Sequence, residues 1–273
     1  MTPPGDPVDS YSRLGAGVYE DAVNKSLLHY GEASREFLEG LCWRPGERRL
    51  LDIGCGTGML FDLLGEKLAA LGITALGIDP AAGMLAIARE KHQGKPHLTF
   101  AEGSFERIPL PDDEVDRIVS VFALHWVPDI AAAAREMARV LKKDGEADLI
   151  LIAKGDGARF HKAVSQALRK HLSFAEIMKT TTMVRSVDEA KLRLALEPLI
   201  AGRESLIRTR ERVVHASFEE HMRWWQARAA TVFATVRDKE KFLGDLREEL
   251  EKTATDQGIP FDSVTITVHV GAA

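Results

Sequence analysis

Cysteine is almost missing: the 273 residues include only Cys42 and Cys55, too few for a disulfide framework. The chain therefore reads as a reduced, intracellular protein. No apolar run approaches the ~20 residues that span a bilayer. The opening MTPPGDPVDSYSRLGAGVYED lacks both the basic and the apolar region of a signal peptide. Together these absences predict a soluble cytoplasmic protein. A basic excess is missing as well. Lys and Arg number 36 against 41 Asp and Glu, a formal net charge of -5, which argues against a dedicated nucleic-acid binder. The sequence has no internal repeat and no low-complexity tract. Its nine histidines show no HxxxH-type spacing, so no metal site is predicted.

What is present is ordinary globular material, 45% hydrophobic and 28% charged. The length suits one large domain, or one domain plus an appendage, with a full core. Pro3, Pro4, Gly5, Pro7, Gly15 and Gly17 mark residues 1–17 as a leader. A helix is predicted over 19–41 and is stopped by Pro45-Gly46. From there short apolar runs alternate with helical stretches. Strands are predicted at 50–53, 74–78, 97–101, 115–122 and 147–153, with helices at 58–71, 81–92 and 129–142. The last helix is expected to close at Lys142, Lys143 and Gly145. Alternation of this kind predicts a doubly wound α/β core with a parallel sheet.

After Gly155-Asp156-Gly157 the pattern changes. Helices are predicted at 157–175, 187–201, 217–236 and 238–256, with strand-like runs at 205–215 and 264–270. The charge changes too: residues 157–252 hold 19 Lys and Arg against 14 Asp and Glu, whereas residues 1–156 hold 17 against 25. The basic excess reads as a solvated face or as a preference for an anionic substrate. The expected organisation is a leader and lid helix over 1–45, a cofactor-binding core over 46–156, and a helical cap with the last strands over 157–273.

The sharpest signal is LLDIGCGTG at 50–58, where a strand turns into a helix. Glycines at 54, 56 and 58 let the backbone turn and approach a ligand without a Cβ in the way. Asp52 would point a carboxylate into the crevice at the carboxyl edge of the sheet, where open α/β folds bind ligands. A buried acid there suits a positively charged group such as an amine. Asp79 follows Gly58 by 21 residues, about where an acid accepts hydrogen bonds from a ribose diol. Pro80 and Met84 can supply an apolar wall for a purine. The nicotinamide fingerprint GxGxxG needs a glycine where Met59 stands, which disfavours NAD(H) but leaves an oxidoreductase as a rival.

DIGCGTG followed by GIDPAAGML resembles the first two motifs of class I S-adenosylmethionine-dependent methyltransferases. AEGSFERIPLPDDEVDRIVSVFALHWVPD (101–129) is similar to their third and fourth motif regions, and REMARVLKKDGE (135–146) to the helix and turn before their fifth strand. The resemblance is close over about 48–153 and lies within the type 11 small-molecule branch. It implies a Rossmann-like, mostly parallel seven-stranded sheet with a helical cap.

Carried over residue by residue, the resemblance implies S-adenosylmethionine as cofactor. Asp52, Gly54, Cys55 and Gly56 would line its methionine end, with Thr57 and Gly58 completing the loop. Asp79 would hold the ribose, and Met84 would pack on the adenine. Ser104 and Phe105 match an adenine-contacting pair whose first member is often Asp. Val121 would approach the methionine portion, with Phe122, Leu124, His125 and Trp126 at the methyl-transfer face. Asp79 also reads as a helix N-cap, a role compatible with binding ribose. His125 reads either as a general base or as a pocket wall. Tyr11, Tyr19 and Tyr30 are weaker proton-transfer candidates. Trp225 belongs to the apolar stripe of the 217–236 helix, whereas Trp224, about 100° away around the helix, is expected in the substrate pocket with Tyr19 and Tyr30. No NPPY-like motif follows the fourth strand, which disfavours transfer to amino groups of nucleic acid or glutamine. The expectation is O- or C-methylation of a small, partly hydrophobic metabolite. A non-catalytic cofactor-binding module remains the second rival.

Overall fold

A computed structural model describes residues 30–180 and 187–272. The expected leader, the first part of the 19–41 helix, Tyr11 and Tyr19 lie outside the described residues. The chain divides into two compact units. The larger comprises Ala33–Lys154, Val184–Arg210 and Thr265–Ala273, and the smaller comprises Gly155–Met183 and Glu211–Val264 together with the chain up to Glu32.

Helix α1 (Gly31–Glu39) precedes β1 (Arg49–Ile53), α2 (Met59–Leu71), β2 (Thr74–Asp79), α3 (Ala82–Lys91) and β3 (Leu98–Glu102). β4 (Val115–Val121), a 3-10 turn (Leu124–Trp126), α4 (Ile130–Val140) and β5 (Leu141–Ile152) follow. Next come α5 (Ala158–His171), α6 (Phe174–Thr180), α7 (Glu189–Ala195), α8 (Glu197–Ile200) and β6 (Ser205–Ala216). The chain continues through α9 (Phe218–Arg228), α10 (Ala230–Thr235), α11 (Lys239–Glu251) and β7 (Ile259–Val270). The seven strands form one sheet in the order β3-β2-β1-β4-β5-β7-β6. β1 to β5 pair in parallel, and β7 runs antiparallel to β5, with Leu149 opposite Val268. This is the mostly parallel, seven-stranded α/β sheet that the sequence predicts. Strand order reverses between β1 and β4, so the crevice at their carboxyl ends is the favoured place for a ligand.

Each element has a local cause. Gly58 (φ 85°) starts α2 and Gly72 (φ 67°) ends it, both in the left-handed conformation that glycine adopts without cost. The Asp129 carboxylate caps α4 by accepting from Ala132 N at 2.9 Å. Leu50, Phe61, Leu64, Leu68, Leu85 and Val119 form the core on one side of β1 and β2. In the smaller unit Phe160, Trp224, Phe242 and Phe261 are buried, and Trp224 meets Phe261 edge-on at 5.2 Å.

Several expected helices need correction. The 157–175 helix ends at His171, where Leu172 (φ -127°, ψ 145°) turns extended before α6 begins at Phe174, and the 238–256 helix ends at Glu251. The 129–142 helix ends at Val140, and residues 141–146 already belong to β5, because Leu141 pairs with Val115 before a bulge brings Glu146 opposite Arg117. Strand pairing therefore overrides the Lys-Lys-Gly stop signal. The single 217–236 helix is broken at Ala229 (φ -112°, ψ 30°) into α9 and α10. No helix among the described residues is long and apolar enough to cross a membrane.

Candidate cofactor and active site

β1 delivers Asp52 to the carboxyl edge of the sheet with Gly77 of β2 on one side and Val119 of β4 on the other. The loop then folds back over β2. Gly54 N and Cys55 N both donate to Ile78 O, at 2.8 and 3.0 Å, and Gly58 N donates to Cys55 O at 2.9 Å. Gly54 (φ 75°), Gly56 (φ 54°) and Gly58 (φ 85°) all take left-handed backbone, so the three glycines are demanded by conformation. Space adds a second demand at Gly54, where a Cβ would lie 2.2 Å from the Ala123 Cβ. At Gly56 a Cβ would meet nothing within 4 Å, so the backbone there faces open space.

Asp79 stands across the loop. One carboxylate oxygen accepts from Gly56 N at 3.0 Å and the other from Ala81 N at 2.8 Å. It thus braces the glycine loop and the turn that enters α3, but it is not the N-cap expected from the sequence: Ala81 holds that position, and no side chain caps the helix. Burial raises the Asp79 carboxyl, and those two N–H groups oppose the rise. Asp52 has no such help. Buried to 2% exposure, it accepts no hydrogen bond from the described residues, and burial followed by the Asp79 charge pushes it up to about 8. Cys55 is raised by its burial and then by Asp52 and Asp79, so its thiol stays neutral.

The other expected residues fall around this loop to different degrees. Thr57 is fully buried, and Met84 is buried in the first turn of α3, while Pro80 before it is exposed. Ser104 exchanges backbone hydrogen bonds with Arg107 at 3.2 and 3.1 Å. Phe105 is buried, with its ring 3.9 Å from where a Gly54 Cβ would lie. Val121 ends β4 half-buried, and Phe122 takes φ 50°, a strained conformation for a side chain of its size. Its N–H donates to Ile150 O at 2.8 Å, which fixes the turn. His125 is 1% exposed, and its ring lies 5.0 Å from that of Trp126. In the smaller unit Tyr30 donates to Asp156 and its ring lies 6.0 Å from Trp224. Trp224 is as buried as Trp225; its polar edge does not set it apart from the core stripe.

Two partners of the loop had no sequence signal. His92 Nε2 lies 3.2 Å from Gly58 O, and its ring stacks on Phe100 at 5.7 Å. Gly58 must be glycine partly for this reason, since a Cβ would come within 2.8 Å of that nitrogen. Ala123 is the other, pressed against Gly54 from the turn after β4.

Residues 51–147 match the family described as "Methyltransferase domain". This segment belongs to that family. The cofactor of this family is S-adenosylmethionine. Over 110 residues the chain is 36% identical to the ubiquinone/menaquinone biosynthesis C-methyltransferase of Stenotrophomonas maltophilia, covering 39% of this chain and 43% of that one. Over 142 residues it is 35% identical to a malonyl-[acyl-carrier protein] O-methyltransferase of Serratia marcescens, covering 50% and 48%. Each alignment thus spans less than half the length of the curated relative. The YcgJ protein of Bacillus subtilis has a similar fold, with a TM-score of 0.60 at 20% identity over 89% of this chain and 99% of that one.

The residues of the methyltransferase domain fit the family's cofactor. S-Adenosylmethionine carries an ammonium on its methionine end, a ribose diol and a purine. Opposite these stand Asp52, a buried carboxylate with no donor among the described residues, a second carboxylate at Asp79 and open space over Gly56.

Proposed function

We propose that the protein transfers a methyl group from S-adenosylmethionine to oxygen or carbon of a small, partly hydrophobic metabolite. The observation that carries this reading is the Asp52–glycine loop–Asp79 arrangement, with one acid left without a donor and the other bracing the loop. The relatives named as C- and O-methyltransferases support the two acceptor atoms.

Asp52 faces the ammonium of the methionine end, and the backbone of Gly54, Cys55, Gly56, Thr57 and Gly58 lies along that end. Asp79 receives the ribose hydroxyls, while Pro80, Met84, Ser104 and Phe105 surround the adenine. The bound sulfonium supplies an activated methyl and its own leaving group. The protein therefore has to align the acceptor and exclude water rather than generate charge. Val121, the strained Phe122 and Trp126 border the transfer face, and their apolar surface favours a partly hydrophobic acceptor. His125, beside Trp126, holds or accepts the acceptor proton where the acceptor is a hydroxyl.

Titration calorimetry of the full chain with S-adenosylhomocysteine, with NADH as the control, tests this. Binding of the first alone supports the reading. Binding of NADH instead, or of neither, overturns it.

A further inference from the structure

Three carboxylates of the larger unit are almost wholly buried: Glu47 at 5%, Asp148 at 7% and Asp52 at 2% exposure. Two of them share a cation. Arg117 donates to Glu47 at 2.8 and 3.2 Å and also to Asp148, and His269 Nδ1 adds a contact to Asp148 at 2.8 Å. Among the described residues Asp52 has nothing comparable.

The groups around Asp52 can be taken element by element. On β2 the residue opposite is Gly77, and the nearest charge is Asp79, an acid. On β4 the residue opposite is Val119, and the Ser120 hydroxyl next to it donates to Ile53 O at 2.8 Å instead. Arg117, two residues back along β4, is committed to Glu47, Glu146 and Asp148. In the loop stands the neutral Cys55 thiol. From α3, Arg89 donates to Phe100 O at 3.1 Å, and His92 just beyond the helix faces Gly58 O. Asp52 is thus buried with no cation beside it among the described residues, and the one strong field on it, that of Asp79, is repulsive.

A carboxyl group in such a place is stable in two forms only: neutral, or ionised against a cation that arrives from outside. We infer that Asp52 is a neutral carboxylic acid while the site is empty of ligand, and that the ammonium end of an S-adenosyl ligand displaces its proton. The Asp52 O–H bond breaks, its electron pair stays on the carboxylate, and the proton passes to solvent. The ammonium keeps its own protons and becomes the missing counter-charge. Binding therefore releases one proton and selects for ligands that carry the ammonium. This rests on the proposed function and specifies how its site discriminates among adenosyl compounds.

The folded-state value of Asp52, about 8, makes the exchange nearly complete at neutral pH. With one proton linked to binding, affinity rises about tenfold for each pH unit gained below that value.

The test is calorimetry of the full chain with S-adenosylhomocysteine at pH 7 in phosphate and in Tris, buffers of very different ionisation enthalpy. The expected result is a difference in heat equivalent to nearly one proton released, and an affinity about tenfold tighter at pH 7 than at pH 6. 5′-Methylthioadenosine, which lacks the amino acid end, is expected to bind more weakly and release none. Asp52→Asn is expected to bind S-adenosylhomocysteine with no proton release and no pH dependence. Should that variant not fold, the two ligands on the unaltered protein decide the matter. Binding of S-adenosylhomocysteine with equal heats in both buffers overturns the inference and leaves the methyltransferase reading standing. Equal release by both ligands, or release that persists in Asp52→Asn, overturns it as well. No binding of S-adenosylhomocysteine takes down the underlying reading itself.

Discussion

Asp79 and Gly56, 23 residues apart in sequence, are joined by a 3.0 Å hydrogen bond from the Gly56 N–H to the Asp79 carboxylate. The acid expected to hold a ribose thus already shapes the loop expected to hold the methionine end. Asp79→Ala removes this brace and the Ala81 contact together. Affinity for S-adenosylhomocysteine should fall by about 1.5–3 kcal/mol, the scale for charge-assisted hydrogen bonds. Calorimetry on a variant with unchanged circular dichroism measures it. An unchanged Kd would remove Asp79 from the site.

Gly54 and Gly56 separate conformation from space. Both have positive φ, but only at Gly54 does an added Cβ collide, 2.2 Å from Ala123 Cβ. Gly54→Ala should therefore destabilise more than Gly56→Ala, which carries only a backbone strain of about 1 kcal/mol. Gly56→Ala should still weaken cofactor binding, because its Cβ enters the open space over the loop. Thermal melts rank the first pair of effects and calorimetry reads the second. Equal melting temperatures would mean that Ala123 moves aside without cost.

His125 is nearly buried, with its ring 5.0 Å from that of Trp126. His125→Ala should lower turnover by roughly 10²–10⁴-fold if the histidine handles the acceptor proton. Its Kd for S-adenosylhomocysteine should stay within about twofold of the original, since no role in cofactor binding is assigned to it. A methyl-transfer assay with a responsive acceptor, run beside calorimetry, separates the two. Full activity would return His125 to the pocket wall.

The strands and the loop were legible because their signals are local. Apolar runs, three glycines and an acid at each of two strand ends lie within about 30 residues. What escaped notice depends on contacts between distant residues. Arg117 sits in VDRIVSV, within the strand expected over 115–122. Its partners, Glu47, Glu146 and Asp148, come from a loop before β1 and from β5. His92 reaches Gly58 across 34 residues. Trp224 lies off the apolar stripe yet is buried, because α9 meets aromatic residues on more than one side: Phe160 and Phe261 flank Trp224, while Phe242 packs on Trp225.

The Arg117 cluster makes a stability prediction of its own. Arg117→Met removes the cation that Glu47 and Asp148 share and leaves Glu47 with Arg44 and Asp148 with His269, which should cost about 3 kcal/mol at pH 7. Denaturant unfolding of both proteins at pH 7 measures it. A loss below about 1 kcal/mol would mean that Arg44 and His269 hold the two carboxylates without Arg117.

Asp52 also links the stability of the ligand-free protein to pH. Its folded value is raised to about 8 from an ordinary 3.8. Between these values the folded state keeps a proton that the unfolded chain has released. Its contribution is therefore fully present below the unfolded value and is lost as pH rises to the folded one, by about 1.4 kcal/mol per unit. His92 and His221, both lowered by burial, act oppositely, gaining stability as pH rises toward 6.5. Comparison with Asp52→Asn cancels them. The unfolding free energy of the unaltered protein minus that of Asp52→Asn should decline steadily from pH 5 to pH 8. Saturating S-adenosylhomocysteine should flatten the decline by supplying the counter-charge. A difference that stays constant with pH would mean that the Asp52 carboxyl is already ionised in the folded, ligand-free protein.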